Sequence, residues 1–133
     1  MIYNVNDKDF LNSEIYKSFI NSNSGVGFLK IRAFAASQAV PISGMSVVVS
    51  KNIDDNKVVF FEGVTNESGI IEKISLPVPK MGSDNLLVPS ITTYEVDTSY
   101  DGESRLYKVN IYDGIYVVQN INVNPNISYG GDL

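Results

Sequence analysis

The chain has 133 residues, the length of one domain and enough to bury a core without staples, and its 44% hydrophobic and 19% charged residues are a globular composition. It contains no His, Cys or Trp, which excludes zinc fingers, His-based metal centres, Ser–His and Cys–His nucleophiles, disulfides and thiol redox chemistry. Ten Lys and Arg against fifteen Asp and Glu leave a net charge of −5, which argues against a nucleic-acid partner because phosphate binding rests on basic clusters.

The first residues, Met1 to Asp9, lack a basic stretch followed by an apolar one, and no apolar run approaches the roughly 20 residues of a spanning helix. The expectation is a chain made in the cytoplasm without a signal peptide, not in contact with a membrane, and carried out only by an assembly or by lysis. Residues 6–21 read as a helix, with Leu11, Ile15 and Phe19 recurring every four residues and Phe10 beside them. Asn6 or Asp7 caps its start, and Asp9 lies where the helix dipole favours negative charge. Asn21 to Gly25 is a turn-rich hinge. Residues 1–25 are thus expected to form a helical arm whose apolar stripe either closes the domain behind it or docks onto a neighbouring subunit.

Residues 26–125 read as seven short strands. Leu29, Ile31 and Ala33 alternate with polar or outward positions, as do Met45, Val47 and Val49. Val58 to Phe61 is an unbroken apolar run, suited to a strand covered on both faces. Ile70, Ile74 and Leu76 follow; then Tyr94 and Val96; then Tyr107, Val109 and Ile111; and last Val117, Ile121 and Val123. Turn signals separate them at Pro41 to Gly44, Asp54 to Asn56, Asn66 to Gly69, Gly82 to Asn85, Asp101-Gly102 and Asp113-Gly114. The expected fold is all-β, a seven-stranded antiparallel β-sandwich with an N-terminal α-helical extension and a polar tail over 126–133.

Gly27 to Ile31, followed by Val40-Pro41-Ile42-Ser43-Gly44-Met45-Ser46-Val47, resembles the opening of carboxypeptidase-regulatory-like or transthyretin-like modules. In these a short strand leads through a loop ending in Pro-(Val/Ile)-x-Gly into the second strand. Thr65-Asn66-Glu67-Ser68-Gly69, then Ile74-Ser75-Leu76-Pro77, is similar to their Thr-(Asp/Asn)-x-x-Gly and Leu-Pro landmarks, and Tyr94-Glu95-Val96 with Gly102 to the next strand and turn. The N-terminal module of clostridial spore cortex-lytic enzymes is the version most similar. The resemblance covers about three quarters of the chain and implies a transthyretin/Ig-like sandwich. It implies no catalysis, because its Pro, Gly and Asn residues serve turns.

Other motifs weigh toward plain readings. Gly25-Val26-Gly27 lacks the third Gly of a dinucleotide loop and leads into a strand, and no Ser-x-x-Lys occurs. Glu62, Glu72, Glu95 and Glu103 have no flanking pattern that selects a catalytic pair. Asn52 to Asn56 and Ser99 to Glu103 offer oxygen ligands but not EF-hand spacing, so they read as turns rather than calcium sites. Without a signal peptide, the acceptor patterns at Asn66 and Asn126 carry little meaning. An internal isopeptide bond would draw on Lys30, Asn122 or Asn124, and Glu95, but alternation points Lys30 outward whereas the reaction needs a buried triad.

Six of the eight tyrosines fall from Tyr94 onward. Tyrosine suits strands and also interfaces, where its ring buries area and its hydroxyl stays bonded. Tyr100, Tyr112 and Tyr116 flank the Asp-Gly turns and suggest a contact surface at one end of the sandwich. The reading that follows is a non-enzymatic structural or interaction protein, without cofactor or metal. It would dock through Phe10, Leu11, Ile15, Phe19 and these tyrosines onto protein partners in a larger assembly, with homo-oligomers possible. A phage particle (capsid decoration, tail or baseplate) or a spore or surface layer is the expected setting. A peptidoglycan- or glycan-binding accessory module is the alternative.

Overall fold

A computed structural model describes residues 1–36, 39–81 and 90–123. The expected turn at Gly82 to Asn85, Asn124, and the tail with Tyr129 lie outside the described residues. Among the described residues two helices and nine strands follow in order: β1 (Ile2–Asn4), α1 (Lys8–Leu11), α2 (Glu14–Ser22), β2 (Gly25–Ala35), β3 (Val40–Pro41), β4 (Ser46–Ile53), β5 (Asn56–Val64), β6 (Ile70–Val78), β7 (Thr92–Tyr100), β8 (Glu103–Ile111) and β9 (Tyr116–Val123). The seven longer strands fall where hydrophobic alternation places them. The two additions, β1 and β3, are too short to show a period.

The strands form an all-β sandwich. Sheet A has the order β1-β5-β4-β7-β8. In sheet B, β2 is central, with β9 along one side and β6 followed by β3 along the other. The sandwich is not wholly antiparallel. Strand β1 runs parallel to β5, and β2 runs parallel to β9 from the Phe28–Tyr116 pair to the Ala35–Val123 pair. Parallel neighbours arise here because the first and last long strands of the sandwich lie side by side, a relation that leaves no mark on either strand's own sequence. Leu29, Ile31, Val47, Val49, Val58, Leu76, Val78, Val96, Ile111 and Ile121 fill the space between the sheets. Each contributes on the order of 1.5–3 kcal/mol by burial.

Tight turns explain the oxygen-rich segments. Asp54 and Asp55 alone join β4 to β5, both with positive φ (51° and 64°), and Asp101 with Gly102 joins β7 to β8 likewise (51° and 79°). These are two-residue hairpins of the kind whose left-handed backbone Asp and Gly tolerate. The Thr-Asn-x-x-Gly landmark is structural too. The buried Thr65 hydroxyl donates to the Ile42 carbonyl (2.6 Å) and accepts from the Met45 amide (3.0 Å). Asn66 Oδ1 accepts from the Ser68 and Ile70 amides, and Gly69 follows with φ 76°.

The N-terminal segment departs from the single helix over 6–21. Ser13 interrupts it: its hydroxyl donates to the Phe10 carbonyl (2.6 Å) and accepts from the Tyr16 amide (3.2 Å), so the side chain ends α1 and caps α2. A serine that offers the backbone an alternative partner breaks a helical ladder in this way. Asp7 caps α1 through the Asp9 amide. Both helices pack on the sandwich of their own chain. Phe10 is 3% exposed, stacks on Tyr3 (4.7 Å) and tilts against Tyr16; Phe19 meets Phe60, whose ring abuts Tyr94 edge-on. At the end of α2, Asn23 is buried, donates to the Phe19 carbonyl and accepts from the Thr92 hydroxyl of β7 (2.5 Å).

Candidate functional site

Packing in cis decides what the N-terminal segment can offer. Phe10 and Phe19, expected to dock a partner, are part of the chain's own core, and a partner reaching them would have to lift the helices off the sandwich. Ile15 packs against the same core, and Leu11 alone of the four stands at the surface.

The three tyrosines do not share an end. Tyr100 closes β7 and Tyr112 follows β8, so the length of β8 separates them, roughly 30 Å at about 3.3 Å per residue. Tyr100 packs against the core and lines a crevice of only about 10 Å³ with Met45, Thr98, Glu103, Arg105 and Val123. Tyr112 and Tyr116 flank the β8–β9 turn at the other end. Of the three only Tyr116, at 56%, is exposed. One end-surface of three tyrosines is therefore replaced by one tyrosine on a sheet face.

That face is the outside of sheet B. Down β2 the outward side chains are Val26, Phe28, Lys30, Arg32 and Phe34; opposite them on β9 stand Tyr116, Val118, Asn120 and Asn122. Phe28 stacks on Tyr116 with centroids 4.8 Å apart, and the Lys73 ammonium of β6 sits 4.8 Å over the Phe28 ring. Lys30 pairs with Glu72 at 3.4 Å. Val118 and Val26 are exposed, and Ile115 extends the apolar strip. Among the described strands β9 pairs only with β2; along its other edge the Asn122 carbonyl accepts from Arg105 (2.8 Å) and the Asn120 carbonyl from Gln119 (2.9 Å). Lys30, Arg32 and Lys73 stand on the middle of this face against Glu72, a local excess of cations in a chain of net charge −5. Phe28 and Phe34 escaped the sequence reading because their significance depends on the register with β9, set 88 residues further on.

At the upper end of this face, Asp113 in the β8–β9 turn accepts from the Met81 amide and from the Val26 amide, both at 3.0 Å. These two bonds, with the charge of Lys80 nearby, hold its carboxyl below the usual range against a small opposing burial effect. Asp113 thus ties the end of β6, the start of β2 and the turn together. Gly27 lies under the same turn, where a Cβ would collide with the Tyr112 carbonyl oxygen and the Ile111 side chain. The glycines of the Gly-Val-Gly segment serve this close approach of backbones rather than a phosphate.

The remaining titratable groups are scattered. Burial pushes the Tyr94 phenol well above its usual range, with Tyr16 adding to the effect, and its hydroxyl donates to the Pro77 carbonyl. Burial lowers the Lys51 ammonium, partly opposed by Glu95, and its Nζ donates to the Thr93 carbonyl. Among the described residues no three Asp or Glu side chains gather as metal ligands would. The isopeptide residues are apart: Lys30 faces Val118, Asn122 faces Phe34 four residues along, about 13 Å away, and Glu95 belongs to sheet A. No described helix is long and apolar enough to cross a membrane.

No protein-family model and no curated protein matches the sequence. Among solved structures, the chain is similar to 5-hydroxyisourate hydrolase from Klebsiella pneumoniae, with TM-score 0.49 and 16% identity over 79% of this chain and 87% of that one. It is also similar to transthyretin from Sparus aurata, with TM-score 0.43 and 14% identity over 71% of this chain and 90% of that one. One is an enzyme and the other is not, and likeness at this level carries no activity across.

Proposed function

We propose that the chain is a non-enzymatic interaction module that docks onto a protein assembly through the outer face of sheet B. The observation that supports this is the strip of exposed Tyr116, Val118 and Ile115 with half-buried Phe28, along one sheet and bordered by the outer edge of β9. Apolar side chains grouped beside a strand edge that no other described strand covers suit a partner that covers both. The docking role first assigned to the N-terminal stripe passes to this face, since Phe10 and Phe19 are already buried. A phage virion, or a spore or surface layer, is the setting in which such a module would serve, with further copies of the chain among its partners.

A glycan-binding accessory module is the second reading, favoured by the stacked Phe28–Tyr116 pair at the surface. Peptide mass spectrometry across particles, cell wall and cytosol of the producing culture separates the two. Enrichment in particles, lost in a Val118→Glu variant, supports docking on an assembly. Enrichment with cell wall supports the glycan reading, and a purely cytosolic distribution defeats both.

A further inference from the structure

At the far end of the same face, β6 gives way to β3 along β2 and leaves a saddle-shaped hollow of about 220 Å³. Arg32, Ala33, Phe34, Pro41, Ser68 and Ile70 line it. Its walls are fixed by backbone: the Ala33 amide donates to the Gly69 carbonyl (2.7 Å), and the Ile42 amide donates to the Ala33 carbonyl (3.0 Å). A side chain at position 69 would strike that Ala33 oxygen, so the junction holds its shape with glycine there.

The Arg32 guanidinium lies 5.7 Å from the Phe34 ring centroid, and its one hydrogen bond among the described residues is a long one to Asn120 (3.4 Å). Of the two arginines, Arg105 lies 3.7 Å from Glu103, whereas Arg32, like several of the lysines, has no carboxylate within 4 Å among the described residues, in a chain where acids outnumber bases. A guanidinium carries five donors in a fork that matches a carboxylate edge to edge. The Ser68 hydroxyl, without a hydrogen bond among the described residues, lines the same hollow. Pro41, Phe34 and Ile70 supply the apolar wall. A volume below the roughly 300–1,000 Å³ of small-molecule pockets, on an open sheet face, fits a pair of side chains better than an engulfed metabolite.

We propose that this hollow is a carboxylate-binding site. It takes an Asp or Glu side chain, together with its apolar neighbour, from an acidic extended segment of the protein partner. Arg32 receives the carboxylate, and Phe34 holds the guanidinium in place from beneath. This rests on the docking reading above, since the hollow continues the same face.

The test is an NMR titration of the ¹⁵N-labelled chain with the capped peptide acetyl-Val-Asp-Val-Asp-Val-amide and with its Asn isostere. The acidic peptide is expected to shift the amides of Ala33, Phe34, Ser68 and Ile70. The Asn peptide should bind at least fivefold more weakly, and Arg32→Gln should lose at least fivefold in affinity while keeping the wild-type spectrum elsewhere. Arg32→Lys should lose less. Equal binding of the Asn peptide, unchanged binding by Arg32→Gln, shifts centred elsewhere, or no shift at millimolar peptide would each overturn the site. If the site fails while the chain still enriches in particles and Val118→Glu does not, the docking face stands without it. If that enrichment also fails, both readings fall.

Discussion

Two groups of aromatic side chains meet opposite fates in this molecule. Tyr3, Phe10 and Tyr16 form one set of ring contacts and Phe19, Phe60 and Tyr94 another, where two short helices pack on the sandwich. Phe28, Tyr116 and Phe34 lie on the outside of sheet B, where Lys73 and Arg32 rather than a helix cover the rings. In the first group the apolar surface is satisfied within the chain. In the second Tyr116 stays exposed and Phe28 half-buried, while Phe34 is buried beside Arg32, so part of that apolar surface is left open to a partner. Aromatic content alone therefore does not mark an interface; what lies over the rings does.

The sharpest way to break this contrast is to remove a ring from each group. Phe10→Ala should cost about 3–5 kcal/mol in denaturant unfolding, as large-to-small changes of a buried phenylalanine do. A loss under 1 kcal/mol would mean that the helices are a detachable arm after all. Gly27→Ala tests the frame that carries the exposed face, because its Cβ meets backbone at Tyr112, and overpacking of this kind costs about 1–3 kcal/mol.

Asp113 sharpens the comparison through pH. Its carboxyl is held below the unfolded value of about 3.9, so its contribution is fully present above that value and is lost as pH falls through the lower folded value. Asp113→Asn should flatten the acid limb of the stability curve and loosen the amides of Val26 and Met81 in hydrogen exchange. An unchanged acid limb would show that the latch carries no weight. The smallest effect belongs to Tyr116→Ser, which removes an exposed cross-strand partner and should cost only about 0.2–1 kcal/mol in thermal or denaturant unfolding. Its consequence should appear instead as loss of the chain from the particle fraction.

Much of this architecture was legible beforehand, for physical reasons. Alternation and turn chemistry are local, so the seven long strands and the hairpins at Asp54-Asp55 and Asp101-Gly102 could be read from neighbouring residues. The break at Ser13 was missed because a serine between two helical turns announces itself only once its hydroxyl has chosen Phe10 and Tyr16 as partners. The grouping of Tyr100 with Tyr112 failed for a different reason: both sit beside Asp-Gly turns, but an intervening strand carries the chain from one end of the sandwich to the other. Arg32 was invisible as a site because its isolation from carboxylates is a property of three strands together.

The pairing of β2 with β9 has a consequence for the order of events during synthesis. A ribosome delivers β2, its turns and all of sheet A before Tyr116 to Val123 emerge, yet β2 lacks a neighbour on one side until they do. The β2–β9 pairing of sheet B therefore forms only once residues 116–123 have emerged. Contacts this distant along the chain also slow closure, because the loop they bridge must be ordered first. A stalled or truncated product would present the bare side of β2, an invitation to mispairing that the completed chain removes.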